Sequence, residues 1–179
     1  MGRRLFTLVV IVVIAVVLVG VIGYAAFYIL AGSGEASQGI EEVVSTLDAP
    51  DGLLYEIDPE RSTARFEIAE VLRGADIIVE GTTNDVGGQI SVNFDAPEES
   101  QVGEIVINAR TLRTDNEDRN RALRTVILQS ADDAYEFITF TPTELTVDSQ
   151  SNESIVVGTV LELSVEGNLH VVEATRRVT

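Results

Sequence analysis

The amino-acid sequence predicts an all-β domain, a sandwich or an antiparallel barrel, carried behind one long apolar helix. Three observations predict it. From residue 53 onward, short runs alternate apolar and polar side chains with a period of two, separated by turn residues. Residues 5–31 hold no charged side chain. The β pattern is broken once, inside 104–145, where strand, polar loop, short apolar helix and strand follow one another. Such an excursion in a barrel is expected at the rim, covering one opening.

The N-terminal element is the simplest to justify. As a helix, residues 5–31 would rise about 40 Å, more than the roughly 30 Å of a bilayer's hydrocarbon core. A secretory signal has an apolar core of only about 7–15 residues, so an uncleaved transmembrane helix is expected. Arg3 and Arg4 precede it and put residues 1–4 in the cytoplasm, with everything after the helix outside. Tyr24, Phe27 and Tyr28 would then lie at the outer interface. Phe6 stands where an N-myristoylation signal needs Ser or Thr. Residues 32–52 are small, acidic and polar and read as a linker that supplies reach, with one helical turn at 40–47.

The strands follow in order. Residues 53–57 are short, and Asp58-Pro59-Glu60 turns the chain. In 63–69, Ala64, Phe66 and Ile68 share a face. Residues 77–83 follow, then a hairpin loop at 84–88 with Gly87 and Gly88. In 89–94, Ile90, Val92 and Phe94 are expected to point in, and Gln89, Ser91 and Asn93 out. Residues 96–101 form an acidic loop. Then comes 104–110, with Ile105, Ile107 and Ala109 on one face and Val106, Asn108 and Arg110 on the other. The polar loop 114–120 leads to an apolar helical stretch carrying Ala122, Leu123, Val126, Ile127 and Leu128. The strand after it places Ile138 and Phe140 together. Residues 145–147, a polar loop at 148–154, a long β-branched strand at 155–165, a Gly167-Asn168 turn and a strand at 169–172 complete the pattern.

Composition narrows the chemistry. The chain has 179 residues, enough for one domain and an anchor. It has no cysteine, which excludes disulfides and thiolate metal sites. All 12 basic residues are arginine, against 29 acids, for a net charge of −17. A chain so acidic repels nucleic acid, and no nucleic-acid partner is expected. His170 is the only histidine, and no nucleophile motif accompanies it, so no enzyme is expected. Asp115, Glu117 and Asp118 lack the spacing of a calcium loop and read as a solvated acidic loop. No metal and no cofactor are expected.

From Tyr55 to Thr179 the chain resembles the YceI-like family of polyisoprenoid-binding, lipocalin-like proteins. The resemblance opens on Tyr55-Glu56-Ile57-Asp58 and continues through Ser62, Ala64 and Phe66. Its centre is Arg119-Asn120, Leu123-Arg124, Ile127-Leu128 and the run Tyr135-Glu136-Phe137-Ile138-Thr139-Phe140. It ends on Gly167-Asn168-Leu169-His170-Val171, with Thr175-Arg176-Arg177-Val178. The chain departs from the family pattern at Asn120, where Asp is usual, at Ile127 and Leu128, where aromatics are, at Glu136 for Pro, and at Glu173 for Gly.

The resemblance implies a lipocalin-like antiparallel barrel over 53–179. It also implies about two further strands beyond Thr179, so the expectation is an incomplete, truncated barrel with open edges. Those edges could pair with a second copy. The implied ligand is a polyisoprenoid or a similar long apolar chain, held in a tunnel by apolar burial at about 25 cal/mol per Å². The expected lining is Phe66, Ile68, Ile90, Val92, Phe94, Ile105, Ile107, Ile138, Phe140, Val157, Leu161 and Leu163. Arg119 and Arg124, from a cluster of five arginines in 110–124, are expected at a polar rim, where salt bridges with nearby acids are the competing use. Sequestration or transfer of lipid at the outer face of the cell membrane is the implied function. A ligand-free module whose sheet edges pair with another chain is the alternative.

Overall fold

The computed structural model describes residues 2–32, 34–48, 52–72, 74–147 and 162–179; in the first helix it describes the side chains of 12–27, 29 and 30. The chain divides into two compact units, Met1–Ser33 and Gly34–Thr179. The first is helix α1 (Gly2–Leu30). Among the described residues, no helix is long and apolar enough to cross a membrane.

Among its described residues the second unit pairs its strands antiparallel. Its strands are β1 (Leu53–Glu56), β2 (Ala64–Leu72), β3 (Ala75–Thr83), β4 (Val86–Gly87), β5 (Gln89–Val92), β6 (Gln101–Val102), β7 (Ile105–Asn108), β8 (Phe137–Val147), β9 (Leu163–Val171) and β10 (Ala174–Val178). They form three sheets: β1-β5-β6, β10-β9-β8-β7-β4 and the hairpin β2-β3. Among the described residues these do not close into a barrel, because β2 and β10 each end a sheet.

Period-two patterning located most strands, and register explains the rest. Ile107 faces Ile138 and Ile105 faces Phe140 across β7 and β8, so all four share the face assigned to them. Residues 84–88 are not a hairpin loop. They carry the chain from the β2-β3 sheet into the five-stranded sheet, where Val86 pairs with Ile107. Residues 145–147 belong to one 11-residue strand, β8, with a register shift between Pro142 and Glu144. Pro cannot donate to a ladder, so an irregularity there is expected.

The Gly167-Asn168 turn is corrected too. Both residues lie inside β9, and the chain turns at Val172-Glu173, Val172 adopting φ 55°. Gly167 is needed where it is because the Phe140 ring lies over it. A Cβ there would come within 2.5 Å of Phe140 Cζ. Gly81 serves the same purpose under Phe66. The expected strand at 155–165 and the loop at 148–154 fall outside the described residues except at the β9 end.

Among the described residues, two α-helices join these strands. α2 (Ile40–Val43) buries Ile40. α3 (Glu117–Ala122) begins inside the expected polar loop, because the Asn116 side chain accepts from Arg119 N at 3.0 Å and caps it. It continues into a π-helical turn, Leu123–Ile127.

The stretch expected to supply reach is packed down instead. Ile40 and Val44 sit against Gly87, and Leu47 N donates to Gln89 Oε1 at 2.7 Å. Residues 34–47 are a strap over the outer face of the sheets. This inverts one expectation: Gln89 and Ser91, read as outward and wet, are buried, whereas Phe94 is exposed.

Candidate functional site

The inner faces of β2, β7, β8 and β9 meet the end of the α3 excursion around one apolar pocket of about 280 Å³. Ala64, Arg65, Phe66 and Ile68 supply one wall from β2. Ile107 and Ile138 supply the floor, with Leu169 and Val171 beside them. Leu112, Leu123, Ile127 and Leu128 cover one end. Arg65 is the one charged lining residue; its guanidinium reaches the outer side, 3.5 Å from both Glu67 and Glu80. Its stem alone is apolar, so the wall stays greasy.

Of the expected lining, Phe66, Ile68, Ile107 and Ile138 line this pocket. Ile105 and Phe140 share the face but lie away from it, Phe140 folded onto Gly167 and Ile105 near Gly88. Ile90 and Val92 are half-buried on β5, paired with Tyr55 and Leu53, and do not reach it. Phe94 has left the strand. Leu163, at the start of β9, pairs with Val147. Val157 and Leu161 fall outside the described residues. The lining residues not expected are Ala64 and Arg65 of β2, Leu112, two residues of β9 and three of the excursion. Leu169 and Val171 alternate cleanly in sequence, and Leu123, Ile127 and Leu128 formed the expected apolar helical stretch.

The two rim arginines have different settings. Arg119 Nη1 donates to Asp115 Oδ1 at 2.6 Å, and its Nε lies 3.5 Å from Glu70 of β2, tying α3 to the β2 wall. Arg124 is buried, with its guanidinium against Gly34 of the strap; a Cβ on Gly34 would lie 2.8 Å from Nη1. Burial first, then Arg113, lowers its pKa from the ordinary value. The acidic loop is engaged the same way, Asp118 with Arg121 at 3.0 Å and Glu117 with Arg113 at 4.0 Å. Asn120, 0 % exposed, accepts from Thr114 N at 2.7 Å and donates from Nδ2 to Glu117 at 3.2 Å. An ionised Asp could not make that donation.

On the opposite face of β7 lies a polar cluster that sequence reading did not find. Glu136 is 1 % exposed. Its carboxylate accepts from Ser37 N at 2.7 Å, from the Ser37 hydroxyl and from Asn108 Nδ2 at 3.2 Å, with Arg110 Nη1 3.3 Å away. Arg110 also donates to Asp133 at 2.7 Å and to the Ser130 carbonyl at 2.8 Å. Asp85 lies beside this cluster. Burial raises its pKa, the Asn108 hydrogen bond opposes that, and Glu41 and Glu136 add to it. The only available signal was Glu136 itself, an acid where the family pattern has Pro. His170 is exposed, its Nδ1 2.9 Å from Thr175 Oγ1.

Compared with known proteins, residues 55–179 match the family described as the YceI-like domain. No curated protein matches the chain.

Proposed function

The chain belongs to the YceI-like domain family, and from that premise we propose that it is a membrane-anchored, extracytoplasmic lipid-binding protein. It holds a polyisoprenoid or a similar long apolar chain for sequestration or transfer, with α1 as the anchor. The observation that carries this is the pocket: its walls are aliphatic and aromatic, and its one charged lining residue turns its guanidinium away. At about 280 Å³ it lies near the small end of the roughly 300–1,000 Å³ usual for ligand sites. A long chain would therefore bury one segment and leave the rest in the mouth. Nothing in the lining offers a nucleophile or a general base, so the reading is binding without turnover.

Titration of the full chain with a fluorescent apolar polyene tests it. Wild type saturates, and Phe66→Asp and Ile107→Asp each weaken binding at least about tenfold, the roughly 1.4 kcal/mol that an ionised group in the lining costs as a minimum. Equal binding by all three forms would reject the pocket. The second reading, an interaction module, draws on β2 and β10, each of which ends its sheet among the described residues. A stoichiometric oligomer without apolar ligand would favour it.

A further inference from the structure

We propose that the free edge of β3 is a docking site for an extended peptide segment of another protein, one whose side chains read basic, apolar, basic at alternate positions. The inference is independent of the apolar pocket and adds a protein partner to the lipid-binding reading.

One backbone bridge defines the edge. Thr82 N donates to Arg113 O at 2.9 Å, and Arg113 N donates to Thr82 O at 3.0 Å, in the antiparallel sense. The backbone groups of Thr82 therefore face away from β2. Alternation along the strand turns those of Glu80, Ile78 and Asp76 the same way. After Arg113 the chain leaves the edge for α3, and among the described residues nothing continues the ladder. Beside the edge lies a slot of about 530 Å³, with Ile78 and Glu80 on one side and Thr114 and Asp115 on the other.

The chemistry of the slot selects its occupant. A row of N–H and C=O groups at strand spacing is matched by another backbone; hydrocarbon would leave each group unsatisfied. The side chains that flank the ladder, Asp76, Ile78 and Glu80, lie on the hairpin face turned away from the pocket. Ile78 is 73 % exposed, and Val71, diagonal to it on that face, is 70 % exposed. The described charged residues of the face are Glu67, Asp76 and Glu80 against Arg65, which lies 3.5 Å from both Glu67 and Glu80. Across the slot, Arg119 is held by Asp115 at 2.6 Å, and Arg113 stands 4.0 Å from Glu117. The ladder face therefore keeps an acidic excess around an apolar centre, and its complement is basic on both sides of an apolar residue. A second copy of the strand fits poorly. Full antiparallel overlap about Ile78 sets Asp76 opposite Glu80 at both ends, and like charges directly opposite are destabilising.

The test titrates the full-length chain in detergent with a fluorescent peptide, Thr-Lys-Thr-Val-Thr-Lys-Thr. One comparison peptide has glutamate for both lysines; another has its valine N-methylated. Wild type should bind the lysine peptide saturably and at least about tenfold more tightly than the glutamate peptide, because opposite-charge pairs become like-charge pairs. Bound peptide should slow amide exchange at Ile78 and Glu80, whose N–H groups face the slot, and leave Ile77 and Val79, turned toward β2, unchanged. N-methylation should abolish binding. Asp76→Lys/Glu80→Lys, at two exposed positions, should reverse the preference between the charged peptides. Equal binding of the N-methylated peptide would overturn the inference, since simple attraction to a chain of net charge −17 needs no ladder. So would an absence of binding, or equal binding of the lysine and glutamate peptides. An oligomer protected at Ile78 and Glu80 without peptide would also overturn it, and give the edge to a second copy of the chain.

Discussion

The two faces of β7 differ in an unexpected way. Its inner face, Ile105 and Ile107, is apolar and only half-buried. Its outer face, Val106 and Asn108, is 0 % exposed and partly polar. The strap 34–47 makes the difference: it lays Ile40 and Val44 on the outer face at Gly87 and closes the Glu136 carboxylate with Ser37. A fully satisfied polar network is rigid, and an incompletely satisfied one is costly. The difference fits a division of labour: the outer face is sealed and buried, and on the reading proposed above the half-buried inner face is the one left to receive a ligand.

The comparison breaks most sharply at Arg110. Arg110→Met strands the buried Glu136 carboxylate beside one fewer cation and should cost about 3–5 kcal/mol in urea unfolding. A loss below about 1 kcal/mol would mean that the outer cluster carries little. Next come neighbouring residues on opposite faces. Val106→Ala should cost roughly 2 kcal/mol and leave ligand binding unchanged. Ile107→Ala should cost less, about 1 kcal/mol, because its side chain already borders a cavity, yet should weaken binding. The reverse ranking would remove the division of labour.

Ser37→Ala deletes one hydrogen bond to a charged acceptor, and about 1.5 kcal/mol is expected. Faster amide exchange confined to the strap would identify that loss as local release.

The smallest effect is at Asp85. Its folded pKa is raised above 3.8, so its contribution to stability is fully present only below that value. It is lost as pH rises through the folded pKa, and the charged form opposes folding at neutral pH. Asp85→Asn should therefore unfold at higher urea than wild type at pH 7, and the gap should narrow as pH falls toward 3.8. A gap independent of pH would show that ionisation is not the cause.

The sequence made much of this legible, for a definite reason. Alternation says which residues share a face, and Ile105, Ile107, Ile138 and Phe140 do. It does not say which face is covered, since a period of two is symmetric about the sheet. Covering came from residues 34–47, whose short acidic composition resembles a linker and whose grip depends on Glu136, 99 residues from Ser37. The same blindness placed Gln89 and Ser91 in water. Turn chemistry misled at Gly167-Asn168, because a glycine that makes room for Phe140 has the same signature as one that turns the chain. The α3 excursion was visible as an apolar cluster, and the pocket takes Leu123, Ile127 and Leu128 from it.

Native mass spectrometry on the full chain, purified gently from membranes, tests the central claim most directly. The account predicts a folded chain carrying a discrete adduct of isoprenoid-spaced mass, retained in Val106→Ala and lost in Ile107→Asp. A folded wild-type chain that is free of any adduct, and that takes up none when polyisoprenoid is supplied, would contradict it.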